Sequence, residues 1–144
     1  MIVYLDTSAI VPLLVVEPTS EHCRRLWDSA DEPVTCRLSY VETAAALAQA
    51  QRLGRITAPA HKHALKALGQ LWAEMALIEF DDDLMHTAAD RAARFALRGY
   101  DAVHCAAAEL IADQQTVAAS GDRALLDAWA SLGLSTADTH SPRI

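Results

Sequence analysis

Three things are scarce in this chain: cysteine, positive charge and uninterrupted apolar sequence. The three cysteines, Cys23, Cys36 and Cys105, are odd in number, form no CxxC pair and sit among apolar residues. That usage argues against a disulfide framework and a zinc site and fits buried, reduced thiols. Lysine and arginine total 12 against 19 aspartates and glutamates, a formal net charge of -7. A nucleic-acid binder that works by charge alone has the opposite balance, because cationic side chains supply affinity for phosphate. If this chain handles nucleic acid, cations must help it. The most apolar stretch, Ile10 to Val16, is broken by Pro12 and is far too short to span a bilayer. An early basic residue is also missing, and Asp6 falls where a signal peptide would be apolar. The expected location is the cytoplasm, with no membrane partner. No internal repeat and no low-complexity linker divides the chain.

What is present is enough apolar sequence for one full-sized core. A chain of 144 residues that is 52% hydrophobic is expected to form a single domain over residues 1–144. Ile2-Val3-Tyr4-Leu5 is an apolar run too short for a helix, stopped by Asp6-Thr7-Ser8, and reads as a strand buried on both faces. Ser8 then caps a short helix from Ala9 to about Val15, with Pro12 in its first turn. A second helix runs from Ser20 to Ser29, and Val34-Thr35-Cys36 reads as a strand. A long helix opens at Ser39 and closes at Gly54, and another runs from Ala58 or Pro59 to about Met75. Leu77 to Phe80 is a further strand candidate, followed by a helix capped at Asp81 to Asp83 and ended by Gly99. Asp101 begins the next helix, through about Asp113; Thr116 to Ala119 is a strand; Arg123 to Leu132 is a helix; and Leu134 to Thr136 is a short edge strand. Trp27, Trp72, Trp129, Leu68 and Leu71 are assigned to the core. Strands alternating with helices imply an α/β fold, with a mainly parallel sheet of four to five strands covered by helices on both sides.

Four acids stand out from this pattern, although each has a purely structural explanation. Ser39 with Glu42 three residues on is a capping box. Asp101 and Asp122 suit helix N-caps, and Asp6 suits an Asx turn. Taken together they read differently. Asp6 and Asp122 each follow an apolar strand, and Glu42 lies in the first helical turn after one, so topology gathers three acids at the carboxyl edge of the sheet, where open α/β folds collect ligands. Asp101 follows a helix, and geometry alone does not put it there. Carboxylates about 4 Å apart repel by roughly 1 to 4 kcal/mol per pair, so a cluster persists only if protonated or neutralised by cations. An all-oxygen donor set suits magnesium or manganese.

Four segments, Leu5-Asp6-Thr7-Ser8-Ala9, Ser39-Tyr40-Val41-Glu42, Tyr100-Asp101-Ala102-Val103-His104 and Ser120-Gly121-Asp122, occur in order and span most of the chain. In these segments, and in size and strand-helix order, the sequence resembles the PIN-domain ribonucleases, and more narrowly the VapC-type toxins of VapBC toxin-antitoxin pairs. The resemblance implies a PIN-like fold, magnesium-dependent hydrolysis of RNA, with manganese as a substitute, and Asp6, Glu42, Asp101 and Asp122 as catalytic metal ligands. It implies Thr7 and Ser120 as hydroxyls close to the metal, and it gives Asp101 the place that geometry leaves open. Asp122 is the most variable member of this pattern, and Asp127 lies too far along its helix to replace it. A homodimer and a cognate antitoxin, whose C-terminal segment lies across the active site, are implied as partners besides RNA.

Arg52, Arg55, Lys62 and Lys66, with His61 and His63 and no acid between them, form a local basic stretch in an acidic protein. It is a candidate RNA-backbone site, with a merely solvated helix face as the alternative. His104 shares a helix face with Asp101 and is expected to pack or hydrogen-bond beside the acids. His61 and His63 point to different faces and make a poor metal pair. Two other functions are possible on these residues. A haloacid-dehalogenase-type phosphatase also begins with a strand and an Asp, but it needs a second Asp two positions on, where this chain has Ser8. A non-catalytic interaction protein on the same scaffold would use the acids only as helix caps.

Overall fold

A computed structural model describes residues 1–141. Its elements are β1 (Ile2–Leu5), α1 (Thr7–Leu14), α2 (Ser20–Ser29), β2 (Glu32–Cys36), α3 (Ser39–Arg52), α4 (Ala58–Glu74), β3 (Ala76–Ile78), α5 (Asp82–Phe95), α6 (Gly99–Ile111), β4 (Thr116–Ser120), α7 (Arg123–Ser131) and β5 (Ser135–Asp138). The five strands form one sheet in the order β3-β2-β1-β4-β5, and every adjacent pair is parallel. The expected α/β architecture is therefore found, with the sheet wholly parallel.

Strand β1 lies at the centre, and its alternation feeds two cores. Tyr4 points to one face, among Val34, Ala118, Leu125, Trp129 and the alanines of α6. Val3 and Leu5 point to the other, with Ile10 and Met75, against Trp27, Leu71 and Trp72. Side chains alternate across a strand, so a central strand covered on both faces must be apolar at every position. Trp129 and Leu68 are fully buried, as expected of core residues; Trp27, Leu71 and Trp72 are half-buried against the second core. Ala102, Ala106, Ala107 and Ala108 are all buried, and their small side chains let α6 lie close to the sheet.

Successive strands are added on one side of β1 as far as β3, and then on the other as β4 and β5. The chain thus reverses its winding direction beside β1, and the crevice at the carboxyl end of that strand is the switch point where such sheets bind ligands. Asp6 is the first residue past that end.

Several helix ends differ from the sequence expectation, each for a local reason. Helix α1 starts at Thr7 and is capped by Asp6, whose carboxylate accepts from the Ala9 amide; Ser8 is not the cap. Pro12 consequently lies beyond the first turn. Helix α5 stops at Phe95, where Ala96 takes a left-handed conformation (φ 53°), and Gly99 begins α6 instead of ending α5. Asp101 is therefore a first-turn residue and not the N-cap of α6. Strand β3 occupies Ala76–Ile78 in place of Leu77 to Phe80, and β5 extends to Asp138.

Candidate active site

The capping box expected at Ser39 and Glu42 does not form, and that failure shapes the site. Helix α3 has Leu38 at its N-cap with no side-chain cap bond. Ser39 is buried and donates to the Thr35 hydroxyl (2.7 Å), which donates to the Leu5 carbonyl (2.7 Å). This short relay pins the start of α3 against β1 and β2. Glu42, with no cap to make, turns towards α1 and α6: its Oε1 accepts from Thr7 Oγ1 (3.0 Å) and pairs with His104 Nε2 (2.7 Å). The other ring nitrogen of His104 meets the Tyr4 hydroxyl at 2.7 Å, inside the core. His104 thus hydrogen-bonds beside the acids, as its spacing from Asp101 suggests.

Asp6 is only 4% exposed. Its Oδ1 accepts from Ser8 Oγ (2.6 Å) and the Ala9 amide (3.1 Å), and its Oδ2 from Ser120 Oγ (2.6 Å). Burial pushes its carboxyl above the ordinary aspartate range, against the pull of the nearby His104 and of these hydrogen bonds. Burial also opposes the charge on His104. The Glu42 hydrogen bond and the charges of Asp6, Glu42 and Asp101 outweigh it and hold the imidazole above its usual value.

Ser120 Oγ accepts from the Asp122 amide (2.9 Å), and Ser8 Oγ accepts from the Gly121 amide (2.8 Å), so the β4–α7 turn is latched to α1. Asp122 caps α7 through the Leu125 amide (3.0 Å), as expected. Arg98 spans the remaining gap: its Nε donates to Asp101 Oδ2 (3.0 Å) and a terminal nitrogen to Asp122 Oδ2 (3.4 Å). The four sequence-selected acids therefore share one edge of the sheet: Ser120 and Arg98 link Asp6, Asp122 and Asp101 in turn, and Glu42 is held beside them by His104 and by Thr7, the residue after Asp6. Asp127 is exposed and pairs with Arg123 one helical turn away, outside this network.

The acids do not make a ready cage. Among the described residues no group of three or more Asp, Glu, His or Cys side chains is arranged to hold a metal ion. The donor chemistry still matches a hard divalent cation, being composed of carboxylate and hydroxyl oxygens. Arg98 bridges two of those carboxylates, a cation where like charges would otherwise repel.

Beside Glu42 a cleft of about 470 Å³ opens between α3 and the start of α6, lined by Thr7, Glu42, Ala45, Gln49, Arg52 and Tyr100 among others. Of the four cations picked out in the sequence, Arg52 lines this cleft; Arg55, Lys62 and Lys66 are exposed and do not. The sequence reading missed Tyr4, Ser8 and Arg98. Arg98 had a legible signal in its i, i+3 spacing to Asp101, and Tyr4 in being the one polar group within an apolar strand.

A model of the PIN domain matches residues 3–128. The chain is 38% identical over 124 residues, 86% of either protein, to ribonuclease VapC45 of Mycobacterium tuberculosis strain CDC 1551 / Oshkosh, and equally to ribonuclease VapC49 of strain ATCC 25618 / H37Rv. Its fold is similar to the crystal structure of M. tuberculosis VapC20, described as a Sarcin-Ricin loop cleaving toxin (TM-score 0.67, 20% identity, 92% of this chain and 95% of that one). It is also similar to FitAcB from Neisseria gonorrhoeae (TM-score 0.71, 16% identity, 96% and 98%). With a match over most of its length and this identity to VapC proteins, the chain belongs to the PIN-domain family, in its VapC group.

Proposed function

We propose that this protein is a metal-dependent endoribonuclease, the toxin of a toxin-antitoxin pair. The observation that carries the reading is the hydrogen-bonded chain that links Asp6, Asp122 and Asp101 through Ser120 and Arg98 at the switch point of the sheet, with Glu42 held beside it by His104 and by Thr7, the residue after Asp6. The ribonuclease names of relatives at 38% identity support the reaction class.

Asp6, Glu42, Asp101 and Asp122 would hold magnesium, or manganese in its place. Such an ion, when bound, supplies an acidified water nucleophile and positive charge for the phosphate and leaving oxygen. The chain's own groups do the rest. Ser8 and Ser120 fix both oxygens of Asp6, and Thr7 and His104 fix one oxygen of Glu42, so these carboxylates present their remaining lone pairs in a set direction. Arg98, with its side chain 82% exposed, is free to swing off Asp101 and Asp122 towards an incoming phosphate. Cognate antitoxin is the proposed partner, because solved structures of similar fold include toxin-antitoxin and VapBC complexes.

Purified protein freed of any copurified inhibitor is incubated with total RNA, with and without magnesium, and the cut ends are mapped. Cleavage that needs the ion and is lost in Asp6→Asn, with the fold retained, supports the proposal. Unchanged cleavage removes Asp6 from the mechanism. A non-catalytic interaction protein is favoured by one observation: Asp6 and Asp122 both serve as helix caps, and no cage is preformed. Calorimetry that detects no magnesium or manganese binding would decide for that alternative.

A further inference from the structure

The cleft beside Glu42 has a composition that its neighbouring acids do not explain. On α3 it is lined by Val41, Glu42, Ala45 and Ala46, and then by Gln49, seven residues after Glu42, and Arg52, ten after it, so the lining continues along the helix away from the acids for about 15 Å at 1.5 Å per residue. The opposite wall is Tyr100, a large aromatic ring left 55% exposed at the first turn of α6 beside Asp101. An exposed aromatic facing a largely uncharged stretch of Val41, Ala45 and Ala46, with one amide and one guanidinium at the far end, is the equipment that single-stranded RNA requires. Unpaired bases stack on aromatic rings and offer their edges to amides, while cations hold the backbone. The volume, about 470 Å³, is in the range of small-ligand sites, roughly 300–1,000 Å³.

We propose that this cleft is a nucleotide subsite, which holds an unpaired base of the RNA next to the scissile phosphate. The base stacks on Tyr100, Gln49 reads its edge, and Arg52 holds a phosphate further along the strand. The subsite admits single strands and excludes duplex, because a paired base cannot leave its stack to face Tyr100. Stacking contributes affinity without phosphate neutralisation, and so offsets part of the repulsion that a net charge of -7 exerts on RNA. The proposal rests on the ribonuclease reading for its substrate, and its test is independent of turnover.

Binding of a fluorescent single-stranded oligoribonucleotide of mixed sequence is followed by anisotropy in EDTA, over a series of salt concentrations. Base stacking is worth about 1–3 kcal/mol, so Tyr100→Ala weakens binding by about 5- to 150-fold, and Tyr100→Phe binds like wild type. Ala45→Phe fills the cleft and weakens binding without touching an acid. Arg52→Gln lowers the slope of log affinity against log salt by about 0.7, the value for one phosphate on a single strand, whereas Tyr100→Ala leaves the slope unchanged. Circular dichroism and melting confirm that each variant folds. Wild-type affinity in all three of Tyr100→Ala, Ala45→Phe and Arg52→Gln overturns the subsite while leaving the ribonuclease reading intact. Loss of cleavage only in the acid variants, with RNA binding unmoved by the cleft variants and self-association lost in sedimentation, assigns the cleft to protein contact and also overturns it. Wild-type protein that cleaves no RNA with magnesium or manganese refutes the ribonuclease reading without bearing on binding in the cleft.

Discussion

Replacing Asp6 by asparagine should stabilise the metal-free protein while removing its activity. Asparagine is as good an N-cap as aspartate, so the bond from the Ala9 amide is kept, as is the one from Ser8 Oγ. The bond from Ser120 Oγ reverses: the new amide donates to a hydroxyl that already accepts from the Asp122 amide, and the Ser120 hydrogen turns to Ser8 Oγ, 3.4 Å away. What disappears is a buried negative charge. Burial raises the folded-state pKa of Asp6, so ionising it costs the native state. That cost is absent below the ordinary carboxylate value of about 3.9, grows as pH rises, and is complete once pH exceeds the raised folded value. A gain of about 1 kcal/mol at pH 7.5 is typical of neutralising a strained functional group, and corresponds to a melting temperature higher by roughly 2–4 °C for a chain of this size. Thermal melts in EDTA at pH 7.5 and at pH 4 provide the measurement, and the gain should shrink at pH 4, where wild-type Asp6 approaches neutrality. A lower melting temperature at pH 7.5, or a gain that is independent of pH, would refute the argument.

Three other perturbations have definite expected outcomes. Tyr4→Phe strips the Nδ1 partner from a fully buried His104 and should cost about 1–3 kcal/mol in urea unfolding. The stabilising charge on His104 is fully present below about pH 6.5 and fades as pH rises through its raised folded value, so the mutant's deficit should be measured on both sides of neutrality. Arg98→Ala frees Asp101 and Asp122 from two exposed ion pairs, and manganese affinity measured by calorimetry should rise by about threefold, a modest factor in keeping with the small worth of surface pairs. Gly121→Ala sets a Cβ 2.8 Å from Thr139 Oγ1 and 2.9 Å from His140 Nε2. With Thr139 buried, overpacking should cost about 1–3 kcal/mol, read as a fall in melting temperature; an unchanged melt would mean that the chain after β5 yields freely.

The elements and their order were readable along the chain because a buried parallel strand has to be apolar throughout and a helix has to repeat its apolar face. Ile2 to Leu5 met the first condition, Val34 to Cys36 and Thr116 to Ala119 met it but for one threonine each, whose hydroxyl is hydrogen-bonded, and the stripe of Leu84, Ala88 and Ala92 met the second. Asp6, Glu42 and Asp122 belong at one edge because a residue just past a parallel strand, or one turn into the helix after it, has nowhere else to go. Local rules failed where a distant partner competed with a near one. Ser39 and Glu42 spell a capping box, but Ser39 donates to Thr35 instead, and Thr7 and His104 take Glu42. No spacing announces contacts made by residues 35 and 62 positions from Glu42.

The same limit governs the rest of the site. Side chain type and interval were enough to nominate the four acids and the neighbourhood of His104, since both follow from short-range periodicity. The bridge of Arg98 between Asp101 and Asp122, the burial of Asp6 beneath Ser8 and Ser120, and the separation of Arg52 from Lys62 and Lys66 arise from how α1, α3, α6 and the β4–α7 turn meet at one edge. Those meetings are set by the packing of both faces of the sheet, which joins residues more than 100 positions apart, and such long-range closure leaves no periodic trace in the order of the amino acids.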